Sequence, residues 1–126
     1  MIYGIGTDIL TIQRIEAMYK KHGEVLPRRL LSHIEQHEFA TCPNAANFLA
    51  KRFAAKEAFA KAVGTGIREP VSFRNISVGH NDLGKPEFVC ETELKNWLAK
   101  QGIERVHLSL SDDSNQVVAF AVAERI

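Results

Sequence analysis

A chain of 126 residues with 45% hydrophobic and 25% charged side chains fits one soluble globular domain, residues 1–126, and excludes a low-complexity or fibrous protein. No apolar run is long enough to span a bilayer, and MIYGIGTD lacks the basic region and apolar core of a signal peptide, so a cytoplasmic protein with no membrane partner is expected. The formal net charge of +1 divides unevenly: residues 11–68 hold ten Lys or Arg against five Glu, which suits an anionic partner, yet without the interleaved aromatics and basic runs that nucleic acid would require.

In chain order, MIYGIGTDI alternates as a strand, with Tyr3, Ile5, Thr7 and Ile9 on one face and Ile2, Gly4, Gly6 and Asp8 on the other. TIQRIEAMYKK follows as a helix with Thr11 as N-cap and Ile12, Ile15 and Tyr19 as its buried stripe. Pro27 and Pro43 punctuate two short helical pieces, around RRLLS and SHIEQHEFA. A long helix runs from about Asn44 to Val63 and stops at Gly64. Beyond it come a strand in FRNISVG, a turn at DLGKP, a strand in EFVCE and a helix around ETELKNWLAKQG. A hairpin of VHLSLS and VVAFAVAE, joined by DDSNQ, ends the chain. Cys42 and Cys90 are unspaced and read as free thiols.

The long helix does not obey simple amphipathicity. At about 100° per residue, Phe48, Leu49, Phe53, Phe59 and Val63 cover a broad apolar arc, and Arg52 and Lys56 fall inside it. Glu57 and Lys61 stand on the opposite side at i and i+4, beside Ala50 and Ala54, which let other backbone or a ligand come close. Both sides of this helix are expected to be occupied.

Asp8 supplies a second carboxylate at the end of a strand, on the face that carries glycines rather than bulky side chains. Two carboxylates near a lysine suit magnesium shared with a phosphate, because that ion keeps several waters and takes only one or two carboxylates. GTG at 64–66 and GKP at 84–86 are turns whose glycines could admit a phosphate to backbone N–H groups, although neither is a Walker loop. His107 alternates with Ser109 and Ser111 on a polar strand face. No Ser-His-Asp order or CxxC spacing supports a hydrolase or a zinc site. A non-catalytic anion binder would gain nothing from two carboxylates beside its phosphate unless a cation sat between them. A purely structural oligomer leaves the charges of the long helix unexplained.

Taken in order, GIGTDI, RFAAKEAFAKAVGTGI, GKP and HLSLSDD are similar, over nearly the whole chain, to the holo-acyl-carrier-protein synthases, the small bacterial phosphopantetheinyl transferases. The resemblance implies an α+β fold, a small antiparallel sheet packed with helices around one long central helix, assembled as a homotrimer with each active site between neighbouring subunits. It implies transfer of 4'-phosphopantetheine from coenzyme A to a serine of apo acyl carrier protein, with magnesium and release of adenosine 3',5'-bisphosphate, in fatty acid biosynthesis. By matching position, Asp8 and Glu57 become the magnesium ligands and Lys61 the contact to the pyrophosphate, these three forming the catalytic set. Arg52, Gly64, Gly66, Gly84, Pro86 and His107 fall where the family binds coenzyme A, and the long helix then faces both its own core and a subunit boundary. Arg14, Met18 and Lys21, at i, i+4 and i+7 of the first helix, become the docking face for an acidic carrier protein. The segment CPNAANF lacks the basic cluster that some members carry there, so contacts to the ribose phosphate fall to Lys51 or Arg68. Asp112 stands where some members have histidine and receives no catalytic role.

Overall fold

The computed structural model describes all residues, 1–126. β1 (Ile2–Thr11) passes into α1 (Ile12–His22) without a loop, because the Thr11 hydroxyl accepts the Arg14 N–H at 3.4 Å and caps the helix, while Ile12 and Ile15 turn into the core. α2 (Val25–Leu30) begins earlier than the RRLLS segment suggested. Pro27 lies in its first turn, where a missing N–H breaks no helical hydrogen bond, so the proline belongs to the helix instead of ending it. In α3 (His33–Phe39), Ser32 and Glu35 exchange side-chain to backbone hydrogen bonds as a capping box.

α4 (Ala45–Val63) starts at a capping Asn44 and stops at Gly64, whose φ of 86° lets the chain turn away without a Cβ clash. β2 (Ile76–His80) and β3 (Pro86–Cys90) form a two-stranded antiparallel ladder. α5 (Thr92–Lys100) then leads into the hairpin of β4 (Ile103–Asp112) and β5 (Gln116–Arg125). The main sheet has the order β1-β5-β4, antiparallel throughout. The protein is thus α+β, with a three-stranded and a two-stranded sheet packed against helices. Both cysteines are free, and burial pushes the Cys90 thiol up to about 11. No helix is long and apolar enough to cross a membrane.

Alternation sorts the main sheet into two unlike faces. Gly4, Gly6 and Asp8 share one face with Ala123, Ala121 and Ala119 across the ladder, while Ile5, Thr7 and Ile9 share the other with Val122, Phe120 and Val118. α4 lies directly on the small-residue face. A Cβ at Gly4 would stand 2.1 Å from Ala62 O, and one at Gly6 would stand 2.2 Å from Ala58 O. The glycines are there because the helix backbone occupies the space a side chain would fill.

Eleven of the nineteen α4 residues are buried inside a single chain, Ala50, Ala54, Ala58 and Ala62 among them. Ala58 and Ala62 admit the protein's own β1 backbone. What stays bare is the other face of the sheet, where Ile5 is 59%, Ile9 61% and Phe120 44% exposed.

Gly6→Ala therefore overpacks the helix–sheet contact, and urea denaturation should show a loss of about 3 kcal/mol. Gly79→Ala, whose new Cβ would meet only Val89 Cγ2 at 3.5 Å, should change stability by less than about 1 kcal/mol.

Candidate active site

At Asp8, glycine gives way to a side chain on the face where α4 crosses β1. Lys61, from the last turn of α4, reaches back over the strand: its ammonium donates to Thr7 O at 2.9 Å and lies 3.4 Å from Asp8 Oδ1. Glu57 stands one helical turn before Lys61 and faces the same strand. Its carboxyl is pushed above the ordinary value, first by burial, then by the Asp8 charge, with Lys61 opposing. The structure thus brings Asp8, Glu57 and Lys61 together.

Two carboxylates face one ammonium here, and the ammonium lies on the Asp8 side. The site is short of positive charge and half-open to solvent, with the Asp8 side chain 18% and the Lys61 side chain 54% exposed. A divalent cation fits that deficit, as magnesium accepts one or two carboxylates and fills its other positions with water and substrate oxygens. No group of three or more His, Cys, Asp or Glu side chains gathers anywhere in the chain, so a cation here would rest on two carboxylates, with water and substrate oxygens as its other ligands.

The glycine turns differ from their expected use. The N–H groups of Gly64, Thr65 and Gly66 all donate to Ala60 O, at 3.1, 3.2 and 3.2 Å, closing the C-terminus of α4. In the second turn the Gly84 N–H donates to Asn81 O and the Lys85 N–H to Asn81 Oδ1, each at 2.9 Å. Neither turn has these N–H groups free for a phosphate. What the turns present are side chains, Thr65 in one and Lys85 in the other.

His107 lies on the outer face of the main sheet, in register with Val122 and Ile5, so it and Asp8 occupy opposite faces of one chain. Its Nε2 is 2.9 Å from Glu124 Oε1, and that hydrogen bond holds the Glu124 carboxyl below the ordinary value. His107, Lys85 and Pro86 line a common cleft of about 480 Å³ between the free edges of β3 and β4.

Arg52 is turned inward. It is 7% exposed, its guanidinium stacks 3.9 Å over Phe48, and its Nε lies 3.6 Å from Glu35 Oε2 without a hydrogen-bond partner. It offers no surface to a nucleotide in this conformation. Lys51 is also engaged, 3.5 Å from Asp112, while Arg68 is exposed. On α1, Arg14 and Lys21 are exposed, but Met18 is partly buried and packs against the core.

Glu35 was not singled out in the sequence, although it organises the second cluster of charges on α4. It is fully buried and bonded to Lys56, Ser32 N–H and Val78 N–H. Lys56, also fully buried, donates to Glu35 Oε1 at 2.5 Å and to Leu30 O and Phe73 O at 2.8 Å each. Burial pushes the Lys56 ammonium down to about 8 against the pull of Glu35. The signal was available: Ser-x-x-Glu at 32–35 is a capping box, and a basic pair inside an apolar helical arc requires a buried acid.

Residues 4–121 match the 4'-phosphopantetheinyl transferase superfamily, and the chain belongs to that family. It is 58% identical over 125 residues to a holo-[acyl-carrier-protein] synthase of Neisseria meningitidis serogroup A, covering 99% of this chain and 100% of the relative. The crystal structure of a holo-[acyl-carrier-protein] synthase from Neisseria meningitidis superposes with a TM-score of 0.97 at 58% identity, over 99% of this chain and 100% of that one. That of a Bacillus anthracis synthase in complex with CoA (3',5'-ADP) gives a TM-score of 0.83 at 39% identity, over 100% and 99%.

The raised pKa of Glu57 fixes the sign of a pH effect. A carboxyl that holds its proton more tightly in the folded chain contributes its full stability below the unfolded value of 4.5, and that contribution is lost as pH rises through the folded value. Ionised Glu57 therefore destabilises the fold at neutral pH. Glu57→Gln should melt above the wild type at about pH 7, and the difference should vanish near pH 4, where the native carboxyl is protonated. A wild-type Tm above that of the variant at neutral pH would reverse the assignment.

Proposed function

We propose that this protein is a holo-acyl-carrier-protein synthase. It transfers the 4'-phosphopantetheine group from coenzyme A to a serine hydroxyl of apo acyl carrier protein, giving holo acyl carrier protein and adenosine 3',5'-bisphosphate, in fatty acid biosynthesis. The observation that carries the reading is the convergence of Asp8, Glu57 and Lys61 where α4 crosses β1, in a chain of this family. In the reaction the serine Oγ forms a bond to the phosphorus that bears pantetheine, the bond from that phosphorus to the bridging oxygen breaks, the serine proton departs, and the bisphosphate leaves.

Such a transfer needs neutralised charge and alignment more than covalent help. Asp8 and Glu57 are the residues that would hold magnesium, which when bound supplies positive charge to the pyrophosphate oxygens. Lys61 has a long, half-exposed arm and can turn from Asp8 towards a pyrophosphate oxygen. Gly64 and Gly66 shape the turn that presents Thr65, and Gly84 and Pro86 shape the one that presents Lys85. With His107, Lys85 and Pro86 line a cleft of mixed charge, Arg105 beside Glu87 and Glu104, whose cations suit the phosphates of the nucleotide part of coenzyme A. Arg14 and Lys21 offer two exposed cations to an acidic carrier protein, with Met18 beside them as a partly sunken apolar contact.

The reading includes a homotrimer. Ile5, Ile9, Val118 and Phe120 form an apolar patch with no cover in one chain. Because His107 and Asp8 stand on opposite faces of the sheet, a second copy docked on that patch is the means by which the nucleotide cleft of one subunit meets the carboxylates of another.

Two tests follow from this reading. Mass spectrometry of apo acyl carrier protein incubated with the enzyme, coenzyme A and magnesium should show addition of one phosphopantetheine. Asp8→Asn and Glu57→Gln should each reduce turnover by about a hundredfold or more, as expected for loss of a charge that stabilises the transition state. Lys61→Ala should instead weaken coenzyme A binding while the magnesium requirement persists. Near-normal turnover of Asp8→Asn with an unchanged magnesium dependence would refute the metal assignment.

The second test addresses assembly. Ile9→Glu or Phe120→Glu places a charge on the bare patch without touching the core, so sedimentation should show a folded monomer in place of a trimer, with turnover lost. A wild-type enzyme that sediments as an active monomer would overturn the trimer.

A further inference from the structure

The sheet side of α4 is smooth. Glycine and alanine meet there almost backbone to backbone, and the side chain of α4 that bonds to β1, Lys61, is long and half-exposed, so it follows the helix and does not set its position along β1 or its rotation. Side-chain tips lie about 5–6 Å from a helix axis, and a rotation of about 20° would carry a carboxylate about 2 Å sideways. For Glu57 and Lys61 to meet Asp8, some other contact must fix both coordinates.

Lys56, the residue before Glu57, makes that contact on the far side. Its three ammonium protons have three acceptors on three separate segments: Leu30 O at the end of α2, Glu35 in α3, and Phe73 O ahead of β2. Glu35 is anchored in turn by the Ser32 and Val78 N–H groups, at 3.0 and 2.8 Å, so its carboxylate is tied to its own helix and to β2. A buried ion pair of this kind adds little stability over well-packed apolar side chains of the same volume. Its distinguishing property is geometric: three directed hydrogen bonds fix the nitrogen, and the Lys56 stem, fully buried and packed on all sides, carries that fix to the helix backbone.

We infer that the Lys56–Glu35 pair is a positioning device for the active site, setting the rotation and axial position of α4 so that Glu57 and Lys61 face Asp8 across β1. The inference rests on the proposed role of Asp8, Glu57 and Lys61. Neither Lys56 nor Glu35 touches substrate; both act through the helix.

The test uses the full-length enzyme with Glu35→Gln and Lys56→Met combined, so that no bare buried charge remains. Magnesium is titrated calorimetrically into the protein with adenosine 3',5'-bisphosphate present, and steady-state kinetics are measured on the same preparation. The double variant should fold and assemble as the wild type does. Its magnesium affinity and kcat should each fall at least about tenfold, while KM for coenzyme A moves less than about threefold, the expected split when a group is displaced only for the transition state. A stable double variant with wild-type magnesium affinity and kcat would overturn the inference and reduce the pair to a stabilising contact. Should the double variant fail to fold, Glu35→Gln alone, which keeps an acceptor for Lys56 but loosens the tie to β2, is subject to the same two criteria. If the wild type itself binds no magnesium, the metal assignment fails and the kcat-against-KM criterion alone decides the role of Lys56.

Discussion

Everything in this protein depends on how closely α4 lies on β1. The approach is possible only because Gly4 and Gly6 have no Cβ, and because the facing positions on α4 and β5 are alanine. Dispersion contacts at this range are dense, and at Gly4 and Gly6 they join strand to helix with no large side chain between them. The same closeness brings Asp8, the next residue along that face, within reach of the last turns of the helix. A sheet with ordinary side chains at positions 4 and 6 would hold the helix farther off and separate the strand carboxylate from its partners.

The charges of α4 divide into two groups with opposite electrostatic characters. Lys56 is fully buried and satisfied by Glu35 of α3 and by main-chain carbonyls. Glu57 and Lys61 are half-open, and the burial and neighbouring Asp8 that raise the Glu57 pKa leave that carboxylate in need of a cation. Charge that is complete within the protein contributes geometry, whereas charge left incomplete is available to a ligand. Only one helical residue step separates the two groups.

Much of this was legible in the chain. The strand–helix start, the long helix from Asn44 to Gly64 and the terminal hairpin follow from alternation and caps, and Glu57 beside Lys61 from i, i+4 spacing, while Asp8 joined them through the family resemblance. What escaped depends on contacts distant in sequence. Arg52 looked like a ligand contact because its partner, Glu35, lies 17 positions away in a helix that spacing alone cannot orient. The glycines at 64, 66 and 84 suggested open N–H groups, yet their donors close turns onto Ala60 and Asn81. α2 was misplaced because a proline in a first turn looks, in one dimension, like a helix stop.

The strand order β1-β5-β4 also bears on how the chain reaches this state. β1 is hydrogen-bonded in the sheet to β5 alone, through pairings such as Thr7 with Phe120, residues from opposite ends of the chain. The helices can form early from local contacts, but β1 gains no strand partner until that long loop closes. Closure entropy must be overcome before any ladder bond compensates for it, so the chain should collapse quickly around α4 and commit slowly. Until then the strand edge that carries Asp8 remains unpaired, and nascent molecules at high concentration can mispair through it.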